Sequence, residues 1–222
     1  MLKTNVERVL SDIKAGNNYG EKITLVAATK TQDAEVINRA IEYGVKVVAE
    51  NRVQEFTAKT QLIRGADQQF IGRLQTNKVK YLVGKVSLIQ SIDSIHLAKA
   101  VSEEAVKKKV TQDILLEINA GEELSKAGFS AAEIPDAIKE ISAFPNLSVK
   151  GFMAMMPQSK DEEFLAGLFD KTRALYDGLK EEYSLSVLSM GMSEDYKIAV
   201  KHGSNMIRIG SEIFGKRNYG EK

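Results

Sequence analysis

The sequence predicts an α/β protein that closes into a (β/α)8 barrel, the TIM-barrel class of fold, with an extra helix on its amino-terminal side. First, about eight short apolar runs of strand length recur along the 222 residues, and a longer amphipathic segment follows most of them. Second, this alternation is typical of a parallel sheet, and eight repeats favour closure of the sheet. Third, no glycine-rich turn follows the first run, which disfavours an open doubly wound sheet.

Each element follows from its local pattern. The leading helix carries one apolar stripe, and the run 23–30 lacks alternation, as expected of a strand buried on both faces. Thr31–Asp33 supplies capping residues for the next helix, and Gly44 suits its end. The predicted strands span 23–30, 45–48, 69–74, 86–92, 113–119, 147–156, 185–190 and 205–209. The predicted helices span 4–15, 33–43, 53–64, 78–83, 94–109, 131–143, 161–183 and 194–202. No helix is predicted after the last strand, so the leading helix is expected to take that place.

The chain is expected to form one domain over residues 1–222. It contains only 3 prolines, and no linker rich in Pro, Gly or Ser divides it. The formal net charge of +1 provides no strong basic field for nucleic acid. No apolar segment is long enough to span a bilayer, and the first residues lack the apolar core of a signal peptide. The absence of cysteine fits a reducing compartment, so a soluble cytoplasmic protein is expected. Two distant histidines do not indicate a metal site.

Lys30 is the unusual residue of the first predicted strand, because it ends an otherwise apolar run. Ligands in α/β sheets bind at the carboxyl ends of the strands. A partly desolvated lysine there loses its charge more easily and becomes nucleophilic. The alternative is a structural lysine that extends its ammonium group to solvent. Position alone leaves both interpretations open.

The ends of the last two predicted strands indicate an anion site. Ser193 is expected to cap the helix after the seventh strand, which would place free backbone N–H groups behind it; a cap with no ligand is the alternative. Gly210 and Ser211 follow the eighth strand, where a glycine permits close approach of the backbone beside a hydroxyl donor. Phosphate in barrels is frequently bound by the loops after these two strands.

A nucleophilic lysine across the barrel mouth from a phosphate site suggests pyridoxal 5'-phosphate (PLP), which carries an aldehyde and a phosphate on one ring. Arg208 is expected to point into the barrel beside the pyridine ring. Its permanent charge would disfavour protonation of the ring nitrogen and weaken the cofactor as an electron sink. Structural pairing of Arg208 with a carboxylate is the alternative.

Seven motifs in this order resemble the pyridoxal phosphate homeostasis protein family, whose barrel is similar to the alanine racemase N-terminal domain. They are residues 28–30, 50–55, 70–78, 125–128, 151–155, 188–193 and 208–211. The resemblance implies that Lys30 carries PLP as a Schiff base and that Arg208 faces the pyridine nitrogen. It also implies that Ser193, Gly210 and Ser211 hold the phosphate, with Asn51 as a wall contact near the ring.

The sequence departs from this family at three places, one of which, Ala49 where glycine is common, is expected to change only the local backbone. Gln68-Gln69 stands where the family often has an aromatic residue and a histidine. Gln32 stands where a second lysine often follows the Schiff-base lysine. Both departures put any role of the family's residues at these positions in doubt. The roles of Lys126 and Lys216 in cofactor transfer are left open.

A carrier of the cofactor is the leading functional hypothesis. Alanine racemase-like enzymes add a carboxyl-terminal domain with a catalytic tyrosine, and about thirteen residues follow the last predicted strand here. A two-base racemase needs an acid and a base on opposite faces of the substrate carbon, and only Lys30 can be placed. We therefore expect a monomer that buffers PLP or delivers it to PLP-requiring apoenzymes, with no catalytic residue. The alternatives are a weak PLP-dependent amino-acid racemase and an aldolase or lyase that uses Lys30 on a sugar phosphate.

Overall fold

The computed structural model describes residues 1–121 and 127–215, and within them eight parallel strands form a closed barrel in sequence order. The strands are β1 (Thr24–Ala28), β2 (Val47–Glu50), β3 (Asp67–Phe70), β4 (Leu88–Ile92), β5 (Gln112–Ile118), β6 (Leu147–Ala154), β7 (Val187–Ser189) and β8 (Met206–Ile209). The α-helices are α1 (Leu2–Asp12), α2 (Ala34–Glu42), α3 (Val53–Lys59), α4 (Ile95–Lys108), α5 (Ile134–Ser142), α6 (Glu162–Lys180), α7 (Tyr196–Lys201) and α8 (Ser211–Phe214). A 3-10 helix, Thr76–Tyr81, follows β3.

The predicted (β/α)8 barrel is confirmed, and the elements differ from those predicted in three informative places. β1 ends at Ala28, so Lys30 lies beyond the strand rather than at its last position. The helix after β7 begins at Tyr196 and not at residue 194. A short helix that the sequence did not predict, α8, follows β8. In the described part of the chain, no helix combines the length and the apolar character needed to cross a membrane.

Two apolar layers enclose the sheet. Alternate strand residues fill the barrel interior, and their neighbours pack outward against the helices, as expected when both faces of a parallel sheet are covered. The interior cluster consists of Val26, Ala28, Val47, Ala49, Ile71, Leu88, Leu115, Met153 and Met206. Because these residues fill the middle of the barrel, a ligand can enter only at the ends of the strands.

α1 packs beside α8 and completes the helical layer where the sheet closes. Val6 and Val9 are fully buried under it, and Asn5 Nδ2 donates to Ile213 O over 3.1 Å. Arg8 forms an ion pair with Glu212 of α8. The leading helix therefore occupies the expected place, but it shares that place with α8.

Arg173, a buried arginine of α6, bonds to the segment that precedes β1. The side chain of Arg173 is only 6% exposed, and its Nη1 lies 2.8 Å from Glu21 Oε2 and 2.9 Å from Gly203 O. Its guanidinium group stacks 3.9 Å from the ring centroid of Tyr19. Lys180 Nζ adds a second bond to Glu21, at 3.0 Å. These contacts connect three distant segments through one cation.

Gly151 lies where β6 shifts its register against β5, and no other residue fits there. Its φ is +148°, and a Cβ atom would lie 1.8 Å from Val187 O. We expect Gly151→Ala to lower the free energy of unfolding by about 3 kcal/mol, because both the backbone conformation and the neighbouring strand oppose the methyl group. Urea denaturation measures this change.

Gly167 provides the matched control for this prediction. It lies inside α6 with no atom within 4 Å of a built Cβ. Gly167→Ala is expected to raise stability by about 0.5–1 kcal/mol, because it restricts the unfolded chain and improves helix propensity. Equal urea midpoints for Gly151→Ala and wild-type protein would contradict the assigned packing.

Candidate functional site: a polar pocket at the barrel mouth

Four buried polar side chains form a hydrogen-bonded chain across the barrel interior. Gln90 Nε2 donates to Gln69 Oε1 over 2.6 Å, and Ser189 Oγ donates to Gln90 Oε1 over 2.7 Å. Arg208 Nη1 donates to Ser189 Oγ over 2.7 Å. This series of hydrogen bonds links β3, β4, β7 and β8 through side chains inside the barrel. Satisfied polar networks of this kind favour one arrangement of their members.

Arg208 is a buried cation in this pocket. It also donates to Ser189 O over 2.8 Å and to Ala154 O over 3.0 Å. Burial lowers the pKa of its guanidinium to about 10, although the negative charges of Asp195 and Glu117 act in the opposite direction. The group therefore stays charged at neutral pH. Within the described part of the chain it forms no ion pair with a carboxylate, so the structural pairing considered above is not found.

Two partly buried carboxyl groups lie in the field of Arg208. Burial raises the pKa of Glu117, and the nearby charge of Asp93 raises it further. Burial likewise raises the pKa of Asp195, whose carboxylate accepts a 2.6 Å hydrogen bond from Met192 N. Both Glu117 and Asp195 are therefore easier to protonate than an ordinary carboxyl group.

Ser193 is not the helix cap that the sequence predicts. The helix begins at Tyr196 with Asp195 at the capping position, because Gly191 turns the chain at φ +92° and Met192 N bonds to the Asp195 side chain. Ser193 Oγ instead accepts bonds from Gly210 N at 3.3 Å and from Glu212 N at 3.4 Å. These are long bonds, and an anionic oxygen would accept from the same N–H groups more strongly.

Gly210 links β8 to α8 and lies beside the end of β1. A Cβ atom there would lie 3.4 Å from Ala28 O and 3.5 Å from Ala28 Cβ, which are ordinary van der Waals contacts. Its φ of −118° also suits any residue, so neither space nor backbone conformation within the protein requires glycine here. Ser211 follows as the first residue of α8. The expected close approach of a ligand to the backbone at this glycine stays a prediction.

Lys30 lies two residues past the end of β1 and is exposed. Partial desolvation of its amine stays a prediction, because β1 ends at Ala28 and Lys30 lies in the turn that follows. Thr31, the next residue, has φ +66°.

Asn51 follows β2 and presents an unpaired acceptor. Its Oδ1 atom is buried and accepts no hydrogen bond from any described residue. The neighbouring Gly72 allows this packing, because a Cβ there would lie 1.9 Å from Asn51 O. A buried polar atom without a partner costs free energy, so this atom fits a polar ligand in the mouth.

The structure brings all six predicted site residues to one rim. Lys30 follows β1, Asn51 follows β2, Ser193 follows β7, and residues 208–211 end β8. These four strands are consecutive around the closed barrel. Lys126 and Lys216 lie outside the described residues. Among the described residues, no group of three His, Asp or Glu side chains could hold a metal ion.

Three residues of the site were missed at the sequence level: Gln69, Gln90 and Ser189. A signal for two of them exists, since Gln90 and Ser189 interrupt apolar strands whose neighbours are all buried. Gln69 was considered only as a departure from the family pattern. It is 6% exposed and lies inside the barrel, whereas Gln68 donates outward to Thr60 O.

The closed barrel and the polar rim define a protein of the alanine racemase N-terminal-domain class. The family model described as alanine racemase, N-terminal domain, matches residues 4–218. The chain belongs to the pyridoxal phosphate homeostasis protein family. A protein of that name from Aquifex aeolicus is 42% identical over 199 residues, which cover 88% of this chain and 87% of the relative. Another from Escherichia coli strain K12 is 33% identical over 211 residues, which cover 91% of this chain and 89% of the relative.

A solved structure is consistent with this family and fold. PipY of Synechococcus elongatus PCC7942, solved with PLP bound, superimposes with a TM-score of 0.83 and 28% sequence identity. The match covers 95% of this chain and 100% of the PipY chain.

Proposed function

We propose that this protein binds PLP and buffers or delivers it, holding it as a Schiff base on Lys30 with little or no catalytic turnover. The proposal rests on three features that lie at one rim of the barrel. They are the exposed Lys30, the weakly bonded N–H groups of Gly210 and Glu212, and the buried cation Arg208. The names of the relatives and the PLP-bound PipY structure support the choice of ligand.

Each rim residue has a role in this proposal. Gly210 N–H, Glu212 N–H and the Ser193 and Ser211 hydroxyls would bind the phosphate, since charged acceptors strengthen such bonds. Arg208 would face the pyridine nitrogen, and Asn51 would bring its unpaired Oδ1 to the polar edge of the ring. As a permanent donor that stays charged, Arg208 disfavours a protonated ring nitrogen and therefore limits catalysis.

PLP supplies an aldehyde that condenses with an amine, releasing one water. Lys30 Nζ would be the amine that holds PLP in this way, and the aldehyde oxygen would leave as that water. Because Lys30 is exposed, water or another amine can reach the bond and reverse it. Reversibility suits a protein that releases its ligand to PLP-requiring apoenzymes. We propose that it does so as a monomer in the cytoplasm, a location that the cysteine-free sequence supports.

One preparation tests the proposal with two readouts. The purified protein is incubated with PLP, reduced with borohydride and mapped by peptide mass spectrometry. We expect a visible absorption band that shifts on reduction and one reduced adduct, on Lys30. A colourless, unmodified protein would refute PLP binding through a lysine.

The second readout separates a carrier from an enzyme. The unreduced holoprotein is incubated with single L-amino acids in deuterium oxide, and exchange of the α-proton is followed by NMR. We expect no exchange above that of free PLP, because Arg208 would leave the ring nitrogen unprotonated and so weaken PLP as an electron sink. Fast exchange with racemisation would establish the enzyme alternative instead.

A further inference from the structure

A second lysine, Lys59 of α3, holds the backbone of the turn that carries Lys30. Its Nζ donates to Gln32 O over 2.9 Å and lies 3.4 Å from Thr29 O, so it bonds to the chain on both sides of Lys30. The side chain of Lys59 is only 13% exposed. Lys59 therefore bonds to the turn from its buried side and not from the solvent-exposed rim.

Two carboxylates complete this arrangement. Glu50 Oε1 lies 2.8 Å from Lys59 Nζ and accepts a 2.7 Å bond from Thr29 Oγ1. Glu55 Oε2 lies 3.2 Å from the same Nζ and accepts a 2.8 Å bond from Thr31 N. The three charged residues thus bond to Thr29, Thr31 and Gln32. We call Glu50, Glu55 and Lys59 the lysine-loop clamp.

The turn needs such support because its conformation is unfavourable. Thr31 is β-branched and has φ +66°, in the left-handed region that such residues rarely adopt. Conformations of this kind persist where surrounding bonds enforce them, and they occur at functional sites. Here the enforcing bonds surround the residue whose amine must meet the ligand.

We propose that Lys59 is a positioning residue, which fixes the turn at residues 29–32 so that Lys30 Nζ is presented to the aldehyde of PLP. The proposal rests on the function proposed above. Lys59 need not touch the ligand, since its ammonium group is already engaged by two carboxylates and two carbonyl groups. Loss of the clamp would leave Lys30 present but variably oriented, and misplacement of a reacting group by about 1 Å can reduce a rate about a hundredfold.

The test uses Lys59→Met, which keeps the length of the side chain and removes its charge. Formation of the Schiff-base absorption band after addition of PLP is followed by stopped flow, and the dissociation constant is measured by titration. We expect band formation to be at least tenfold slower than in wild-type protein. This expected loss is smaller than the loss of about a hundredfold that a misplacement of about 1 Å can cause. Lys59→Arg, which retains the cation, should recover part of the rate.

Lys108→Met is the matched control. Lys108 also donates to two backbone carbonyls, Lys80 O at 2.7 Å and Val83 O at 2.9 Å, and it pairs with Glu104 one turn earlier. It stabilises the 3-10 helix and not the Lys30 turn, so its variant should form the band at the wild-type rate. Amide hydrogen exchange provides a local readout. The Thr31 N–H should exchange faster in Lys59→Met than in wild-type protein and at the wild-type rate in Lys108→Met.

Glu55→Ala keeps the proposal testable if Lys59→Met does not fold. It removes the acceptor of Thr31 N from α3, where the Glu55 side chain is 22% exposed, and should also slow band formation, by severalfold. Wild-type rates in every variant that folds would overturn the positioning role and leave the proposed function intact. Failure of wild-type protein to form the adduct on Lys30 would refute the proposed function, and this inference with it.

Discussion

Lys30→Ala is expected to abolish the borohydride-reducible adduct and the visible absorption band, because no other rim residue is expected to form the Schiff base. Noncovalent binding through the phosphate contacts should remain, about a hundredfold weaker, which corresponds to about 2.7 kcal/mol. Fluorescence titration with PLP measures the affinity, and mass spectrometry after reduction measures the adduct.

Lys22→Ala is the control for this variant. Lys22 is an exposed lysine that precedes the amino-terminal end of β1, whereas Lys30 follows the carboxyl-terminal end. Its loss therefore removes an amine near the same strand but not at the barrel mouth. It should leave both the adduct and the affinity unchanged. A Lys30→Ala protein that still gives one stoichiometric adduct would move the attachment site to another lysine.

The largest expected effect on stability comes from Arg173→Met. The substitution leaves Glu21 in a mostly buried position without its main partner, since the Glu21 side chain is 20% exposed. Removal of one member of a buried ion pair costs about 3–5 kcal/mol. Urea denaturation at pH 7 should show this loss, together with a lower thermal midpoint. A loss below about 1 kcal/mol would mean that the pair contributes no more than a surface ion pair.

Asp177→Asn provides the comparison within the same cluster. Asp177 also bonds to Arg173, one helical turn away, but its side chain is 42% exposed. Exposed pairs of this spacing contribute about 0.3–0.5 kcal/mol, so this variant should remain close to wild type. The contrast between the two variants separates the effect of burial from the effect of charge.

The stability difference between wild type and Arg173→Met should also depend on pH. Burial would raise the pKa of Glu21, but hydrogen bonds from Arg173, Asn17 and Lys180 outweigh it and lower the pKa below the ordinary value of 4.5. A depressed carboxyl pKa stabilises the fold above the unfolded pKa, and this stabilisation is lost as the pH falls through the folded pKa. The difference between the two proteins should therefore narrow below about pH 4.5.

The fold was predictable because its signal is local and repeated. Most strands are short apolar runs, and most helices have an apolar stripe, so an error at one boundary does not change the architecture. β3 (Asp67–Phe70) is an exception, since only its last residue is apolar. The end of β1 was misplaced because Lys30 continues the run in sequence but lies in the turn that follows the strand, whereas Thr29 before it is still buried and bonded to β2. The start of α7 was misplaced because a capping serine cannot be distinguished by sequence from one that binds a neighbouring loop.

The partners of the site residues could not be predicted, because they depend on the register of the closed barrel. Ser189 bonds to Gln90, 99 positions away, and nothing near either residue indicates the other. The lysine-loop clamp presents the same difficulty at shorter range, since Lys59 bonds to Thr29 from 30 positions away. Sequence patterns identify which residues reach the rim, but only the packed barrel shows which of them touch.

The contact between α1 and α8 also determines when the protein can finish folding during its synthesis. Asn5 bonds to a residue 208 positions later in the chain, and β1 pairs with β8 across the same closure. At about 5–20 residues per second, the ribosome needs roughly 10–40 s to make the intervening chain. During that interval α1 can pack against β1 and α2 but lacks its contacts with α8, and the rim formed by β8 and β1 does not exist. The nascent chain therefore cannot acquire the rim before nearly all of the barrel has been translated, and it must avoid aggregation until then.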